Sequence, residues 1–171
     1  MDSNKIKQDI NHWYYQYSND IFRYVFFMIG DREQSKDILQ DTFLRAYNHY
    51  EAFDGKNVKG WLFRIARNLT IDSIRRKKPI SYFKDLFPSF SEKSPEQITL
   101  KSEFEKQLYI SLNHIKRQYK EVIILRKIKE FSISETAEIL GWTESKVKVY
   151  LLRGMKALRK ELEKEGYHET I

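Results

Sequence analysis

Two stretches of this chain concentrate cationic side chains at helical spacing. Residues 59–78 hold Lys59, Arg64, Arg67, Arg75, Arg76, Lys77 and Lys78 against the single acid Asp72, a net +6. Residues 143–160 hold Lys146, Lys148, Arg153, Lys156, Arg159 and Lys160 against Glu144, a net +5. In the first stretch Arg64, Asn68, Ile71, Arg75 and Lys78 step by four, three, four and three, which places them on one helix face. Trp61, Leu62, Ile65 and Leu69 turn to the other side. Guanidinium groups beside an amide suit phosphate contacts and some base contact. The preceding residues 53–61, FDGKNVKGW, have two glycines and polar tips and read as a loop, a place where an unstacked base can lodge. The plainer reading of each basic helix is a solvated face, and for Trp61 it is core packing, the preferred one.

A third surface is acidic. Asp37, Gln40, Asp41, Leu44 and Asn48 line one side of the helix expected over residues 32–50. A leucine inside a polar face can dock a protein, and an acidic rim steers a basic partner. On physics alone a solvated face with one stray leucine is preferred. Enzyme chemistry has no support. His12, His49, His114 and His168 are scattered without metal-ligand spacing, and there is no glycine-rich phosphate loop. The absence of cysteine excludes disulfides, zinc-thiolate sites and thiol nucleophiles. No cofactor and no small-molecule substrate is expected.

The elements that must position these residues read as helices. Apolar residues recur at spacings of three and four, and strand alternation is missing. Leu39, Phe43, Ala46, Tyr47 and Tyr50 form one stripe; Phe104, Leu108, Ser111, Leu112 and Ile115 form another, which Val122, Leu125 and Ile128/Lys129 continue. Six glycines and three prolines in 171 residues argue against turn-rich all-β chains. The prolines (Pro79, Pro88, Pro95) all fall in residues 79–104, a stretch of net −1 between two flanks of net +4 each. This stretch reads as a flexible linker. Its apolar residues (Tyr82, Phe83, Leu86, Phe87, Phe90) are unusual for a free tether and suit docking in one state and release in another. The expected fold is all-α, with two small helical domains at 1–78 and 105–171. The net +7 points to a polyanionic partner, nucleic acid or an anionic membrane, or else to a solubilising surface. The first residues lack a secretory apolar core, and the longest aromatic-aliphatic run, residues 24–29, is far short of the ~20 residues that span a bilayer. A soluble, intracellular chain is expected.

Residues 132–147, SISETAEILGWTESKV, predict a helix-turn-helix. Ser132 and Glu135 fit a capping box, Ala137 allows a close helix approach, Gly141 suits a left-handed turn residue, and Thr143 caps the second helix. Val147 packs inward, with Ile133, Ile139 and Leu140 on the core side. The N-terminal residues of the second helix would enter a major groove and later ones would meet phosphates. The bland alternative is a helical hairpin with a solvated basic face.

These features occur together and in order: DILQDTFLRA at 37–46, WLFRIARNLTIDSIRR at 61–76, YKEVIILR at 119–126 and SKVKVYLLRGMKALR at 145–159. In this the chain resembles the extracytoplasmic-function sigma factors, the small two-domain bacterial promoter-specificity subunits of RNA polymerase. The resemblance covers nearly the whole chain outside the linker and the last residues. It implies a region 2-like domain at 1–78, a linker at 79–104 and a region 4-like domain at 105–171. It implies that Asp37, Gln40, Asp41 and Leu44 bind the clamp of the polymerase's largest subunit. It implies that the loop with Lys56, Asn57 and Lys59 captures a flipped minus-ten base, while Arg64, Asn68, Arg75 and Arg76 help open and hold the promoter. Thr143, Glu144, Ser145, Lys146, Lys148, Tyr150 and Arg153 then belong to the helix that reads the minus-thirty-five element. The implied partners are core RNA polymerase, at its clamp and flap region, promoter DNA, and an anti-sigma factor, membrane-bound in many members. The resemblance also implies that the linker passes near the active-site channel and the RNA exit path.

The chain departs from the family's pattern at Asp41, where glutamate is common, at Val149 and Tyr150, where Ser-Arg is frequent, and at Gly154, where alanine is frequent. Gly154 is expected to weaken its helix slightly. Two other readings stand beside this one: an ordinary helix-turn-helix regulator that binds duplex DNA without polymerase, and a helical adaptor whose basic faces meet an acidic protein.

Overall fold

Asp31 sets where the first long helix gives way to the second. In the computed structural model, which describes residues 2–76 and 102–167, α1 (Ser3–Ile29) closes on Gly30, and the Asp31 carboxylate accepts the Gln34 N–H at 3.1 Å to start α2 (Arg32–Asn48). A 3-10 turn (Tyr50–Ala52) and a short loop lead to α3 (Val58–Arg75), capped by Asn57, whose Oδ1 accepts the Gly60 N–H at 3.0 Å. The three helices pack mutually around Ile21, Phe22, Val25 and Phe27 of α1, Leu39, Phe43 and Ala46 of α2, and Leu62, Phe63 and Ala66 of α3, all buried. Each such large side chain contributes about 1.5–3 kcal/mol by leaving water. Thr42 and Thr70 are buried among them. Each donates its hydroxyl to the carbonyl four residues back, Ile38 O and Ala66 O, at 2.7 Å, so the polar atom is satisfied within its own helix. The Gln34 amide donates to Ser73 Oγ and ties the start of α2 to the end of α3.

The chain divides into two compact units, and the second carries α4 (Glu103–Leu112), α5 (Arg117–Ile123), α6 (Ile133–Leu140) and α7 (Glu144–Lys164). Helix α7 packs on α4, α5 and α6. Leu112, Val122, Ile124, Leu125, Ile139, Val147, Leu158 and Leu162 form the core. The expected continuation of the stripe through Ile128/Lys129 is altered by a π turn (Ile124–Ile128), in which Lys129 N–H donates to Ile124 O at 2.8 Å. The wider turn accommodates one extra residue, and both Ile128 and Lys129 end half-buried. Glu130 follows in the left-handed region at φ 60°, and Arg126 Nη1 donates to Phe131 O at 2.5 Å across the corner.

Gly154 has a different role from the one expected. It is buried where α7 crosses α5, and a β-carbon there would lie 3.0 Å from Tyr119 Cβ and 3.2 Å from Ile123 Cδ1. The loss of helix propensity is offset by the close approach of two backbones.

Among the described residues every element is helical, in agreement with the expected all-α, two-domain fold. No described helix is long and apolar enough to cross a membrane. Helix α4 begins at Glu103, within the stretch expected as linker. The linker aromatics Tyr82, Phe83, Phe87 and Phe90, with Leu86, the three prolines, Lys77, Lys78 and His168, lie outside the described residues.

Candidate nucleic-acid and protein interfaces

The helix-turn-helix is built by local capping. Ser132 and Glu135 exchange both hydrogen bonds of a capping box, each at 3.0 Å. Gly141 takes φ 70°, a conformation that costs a residue with a β-carbon, and its N–H donates to Ala137 O. Thr143 Oγ1 accepts the Lys146 N–H at 3.1 Å, and Val147 is buried behind it. Of the residues expected to read DNA, Thr143, Glu144, Ser145, Lys148 and Arg153 are exposed. Lys146 and Tyr150 are half-buried in an aromatic cage. Lys146 Nζ lies 4.3 Å from the Trp142 ring centroid and 5.2 Å from that of Tyr150. The Tyr150 ring meets Trp142 edge-on at 5.1 Å and Tyr119 at 5.8 Å. Sequence reasoning did not single out Val149 and Leu152 as site residues, yet they stand 42% and 61% exposed on the outward side of α7. Their spacing from Ser145 and Lys156 was the available signal.

On α3, Arg64, Asn68, Arg75 and Arg76 are exposed. Ile71 was expected on their face and is instead 4% exposed, because its branched aliphatic side chain gains by leaving water. In the loop before α3, Lys56 is exposed and its N–H donates to Asp54 Oδ1 at 3.0 Å. Asn57 gives its side-chain oxygen to the helix cap. Residues 58–61, expected in this loop, instead form the first turn of α3 because Asn57 caps the helix there, and from that turn Lys59 Nζ pairs with Asp20 at 3.5 Å, a half-exposed pair of the kind that contributes ~1 kcal/mol or less. Trp61, expected in the core, is half-buried within an aromatic cluster that floors this loop. It stacks on Phe53 at 4.9 Å, and Trp13 meets Phe53 and Trp61 edge-on at 5.6 and 6.3 Å. Trp13 also stacks on Tyr50, whose hydroxyl donates to the Asp9 carboxylate.

The acidic face of α2 is fully presented: Asp37, Gln40, Asp41, Leu44 and Asn48 are all exposed, Leu44 by 57%. Partial burial raises the pKa of Asp37, and the neighbouring carboxylates of Glu33, Asp41 and Asp31 raise it further against the pull of Lys36. Leu44 is not isolated. It forms one wall of an open groove of about 450 Å³ between α1 and α2, lined also by Lys7, Ile10, Asn11, Tyr14, Phe43 and Tyr47. Tyr14 packs edge-on against Phe43 at 5.0 Å. The contribution of α1 to this groove was not legible in the α2 stripe. Among the described residues, no three His, Cys, Asp or Glu side chains converge as a metal site.

Residues 13–80 match the sigma-70 region 2 family and residues 106–158 the sigma-70 region 4 family. The ECF RNA polymerase sigma factor SigX of Bacillus subtilis (strain 168) is 34% identical over 160 residues, covering 88% of this chain and 81% of SigX. SigM of the same organism, also an ECF RNA polymerase sigma factor, is 32% identical over 151 residues, covering 88% of this chain and 93% of SigM. The fold is shared with the sigma factor RpoE of Bartonella quintana, at a TM-score of 0.72 and 20% identity over 91% of this chain and 98% of that one. CnrH gives a TM-score of 0.72 at 19% identity, covering 96% of each chain. A lone helix-turn-helix regulator would account for the second matched region and leave the first, with its own cationic helix, unexplained. With both regions matched in order and relatives aligned across most of its length, the chain belongs to the ECF RNA polymerase sigma factors, which direct the polymerase to promoters and start transcription.

Proposed function

We propose that three surfaces divide the work of initiation between two domains, one carrying α1–α3 and the other α4–α7, joined by a linker. Asp37, Gln40, Asp41 and Leu44 grip the clamp of the polymerase's largest subunit. The loop with Lys56 and Asn57, together with Lys59 on the first turn of α3, receives a flipped base of the minus-ten element beside the aromatic cluster. Arg64, Asn68, Arg75 and Arg76 hold the opened strands by their phosphates. The N-terminal half of α7, with Thr143, Glu144, Ser145, Lys148 and Arg153 outward, enters the major groove at the minus-thirty-five element, and the second domain sits by the flap. Lys146 and Tyr150 act there from their cage, as supports for the helix start. The chain itself catalyses nothing; phosphodiester chemistry belongs to the core enzyme, in the cytoplasm.

The observation that supports this most directly is the exposure of two cationic helix faces on separate units together with an acid-rimmed leucine that lines a mainly apolar groove. Cations track phosphates, and acids with a leucine suit a protein. An anti-sigma factor is the proposed regulator: the RpoE structure is a complex with the anti-sigma factor NepR, and the CnrH structure is a complex with the cytosolic domain of CnrY. The test is retention of the chain by core polymerase lacking any specificity subunit, followed by run-off transcription. Retention and a defined start site support the proposal. DNA binding with no new start site would favour a stand-alone regulator.

A further inference from the structure

Deepening the proposed role of α7, we propose that Val149 and Leu152 read thymine, by apolar contact with its C5-methyl group in the major groove of the upstream promoter element. Exposed aliphatic residues are ordinary when scattered. These two are set apart by their surroundings. Ser145, Val149, Leu152 and Lys156 step by four, three and four along α7, so the two apolar side chains lie at the centre of its outward side. Lys148 and Arg153 flank them, both exposed. A protein-docking patch has an apolar centre with few lysines, whereas this centre is ringed by cations, the signature of a polyanion.

The cage sharpens the assignment. Lys146 is held against Trp142 and Tyr150, and Tyr150 is turned edge-on to Trp142, so neither projects freely from the helix start. The uncharged positions left at the centre of the outward side are Ser145, Val149 and Leu152. In the major groove the thymine methyl is the base-edge feature that is neither donor nor acceptor, and aliphatic carbon is its complement. Val149 is stiff at χ1, so ordering it on binding costs little entropy. The long arms of Lys148 and Arg153 reach past this centre to phosphates on either side.

The test uses holoenzyme assembled from core polymerase and the full chain, on a promoter that depends on its upstream element. Thymines of that element are replaced one at a time by deoxyuridine, which removes the methyl group and leaves base pairing intact. Initiation by the wild-type chain should fall about fourfold at one or two positions, the value of burying a single methyl. Val149→Ala or Leu152→Ala should lower initiation on the thymine template by a similar factor and abolish the thymine–uracil difference at its own position. The inference is overturned if uracil is without effect at every position while Lys148→Ala still weakens initiation; α7 then sits on DNA but reads no methyl. It is also overturned if Val149→Ala and Leu152→Ala weaken retention by core polymerase instead, which makes the patch a protein contact. If Lys148→Ala and Arg153→Ala are silent as well, α7 is not at the promoter, and the reading beneath the inference falls with it.

Discussion

The cationic helices α3 and α7 carry similar charge and differ in what stands between the charges. On α3 the outward positions Arg64, Asn68 and Arg75 are polar, and Ile71 has withdrawn from water. On α7 the centre is aliphatic, with Val149 and Leu152 in the open. The segments leading into them differ too. The loop before α3 ends on Asn57 as a cap, and Lys59 in the first turn of the helix pairs with Asp20, beside a cluster of four aromatic rings. The turn before α7 uses Thr143 as a cap and folds Lys146 back over two rings. Charge count alone therefore does not separate the two helices; the neutral residues between the charges do.

The largest expected effect concerns how each helix is held from behind. Gly154 lets α7 approach α5, so Gly154→Leu should overpack the crossing and destabilise the second unit by about 3 kcal/mol, the upper end of such penalties. Thermal unfolding followed by circular dichroism should show one transition lowered and the other, from the first unit, unmoved. A joint shift of both transitions would break the independence of the two units.

Next in size is the acidic face, which α7 lacks. Asp37→Lys combined with Asp41→Lys should weaken retention by core polymerase at least tenfold, with the helical circular-dichroism signal unchanged. Unaltered affinity would remove docking from the first unit.

Salt dependence should then compare the two helices directly. Arg64→Ala and Lys148→Ala should each flatten the salt dependence of promoter binding by about one unit if both meet phosphate. Arg64→Ala should weaken all promoter sequences alike. Val149→Ala should leave the slope intact and change only sequence preference.

A smaller effect belongs to the cage. Lys146→Met keeps the apolar stem and removes the charge over Trp142 and Tyr150, so the second unit should lose about 0.5–1 kcal/mol. Unchanged stability with lost transcription would return Lys146 to the DNA contacts.

The smallest effects are in pH, and Asp37 and Glu161 should contribute in opposite senses. The Asp37 pKa is raised in the folded state, so the folded chain binds the extra proton, and the strain at this group is relieved as pH falls through that raised value. Asp37→Asn should remove this part of the pH dependence. The Glu161 pKa is lowered, first by its hydrogen bond from Lys164 and also by the charges of Lys164 and His114. Its contribution is present above its unfolded value and is lost as pH falls through the folded one. Separate unfolding curves for the two units between neutral and acidic pH would test the contrast.

Much of the fold was legible because capping is local. Ser132 with Glu135, Gly141 and Thr143 behave in the structure as their spacing dictates, since each bonds to backbone three or four residues away. The acidic face of α2 was legible for the same reason: helical periodicity alone puts Asp37, Gln40, Asp41 and Leu44 on one side. The π turn after α5 was not, because one inserted residue shifts a stripe without leaving a composition signal. Neither was the groove lined by Leu44, half of which comes from α1, about thirty residues earlier in the chain.

Sequence by itself determined the all-α class, the caps at Ser132, Gly141 and Thr143, the three charged faces and the family, because periodicity, capping and net charge act between near neighbours. Only tertiary packing decided that Ile71 is covered, that Gly154 marks a crossing rather than a weak point, that Lys146 is caged, and that Val149 and Leu152 remain in water. Burial depends on which distant side chains arrive, and no helix carries that information within its own turns.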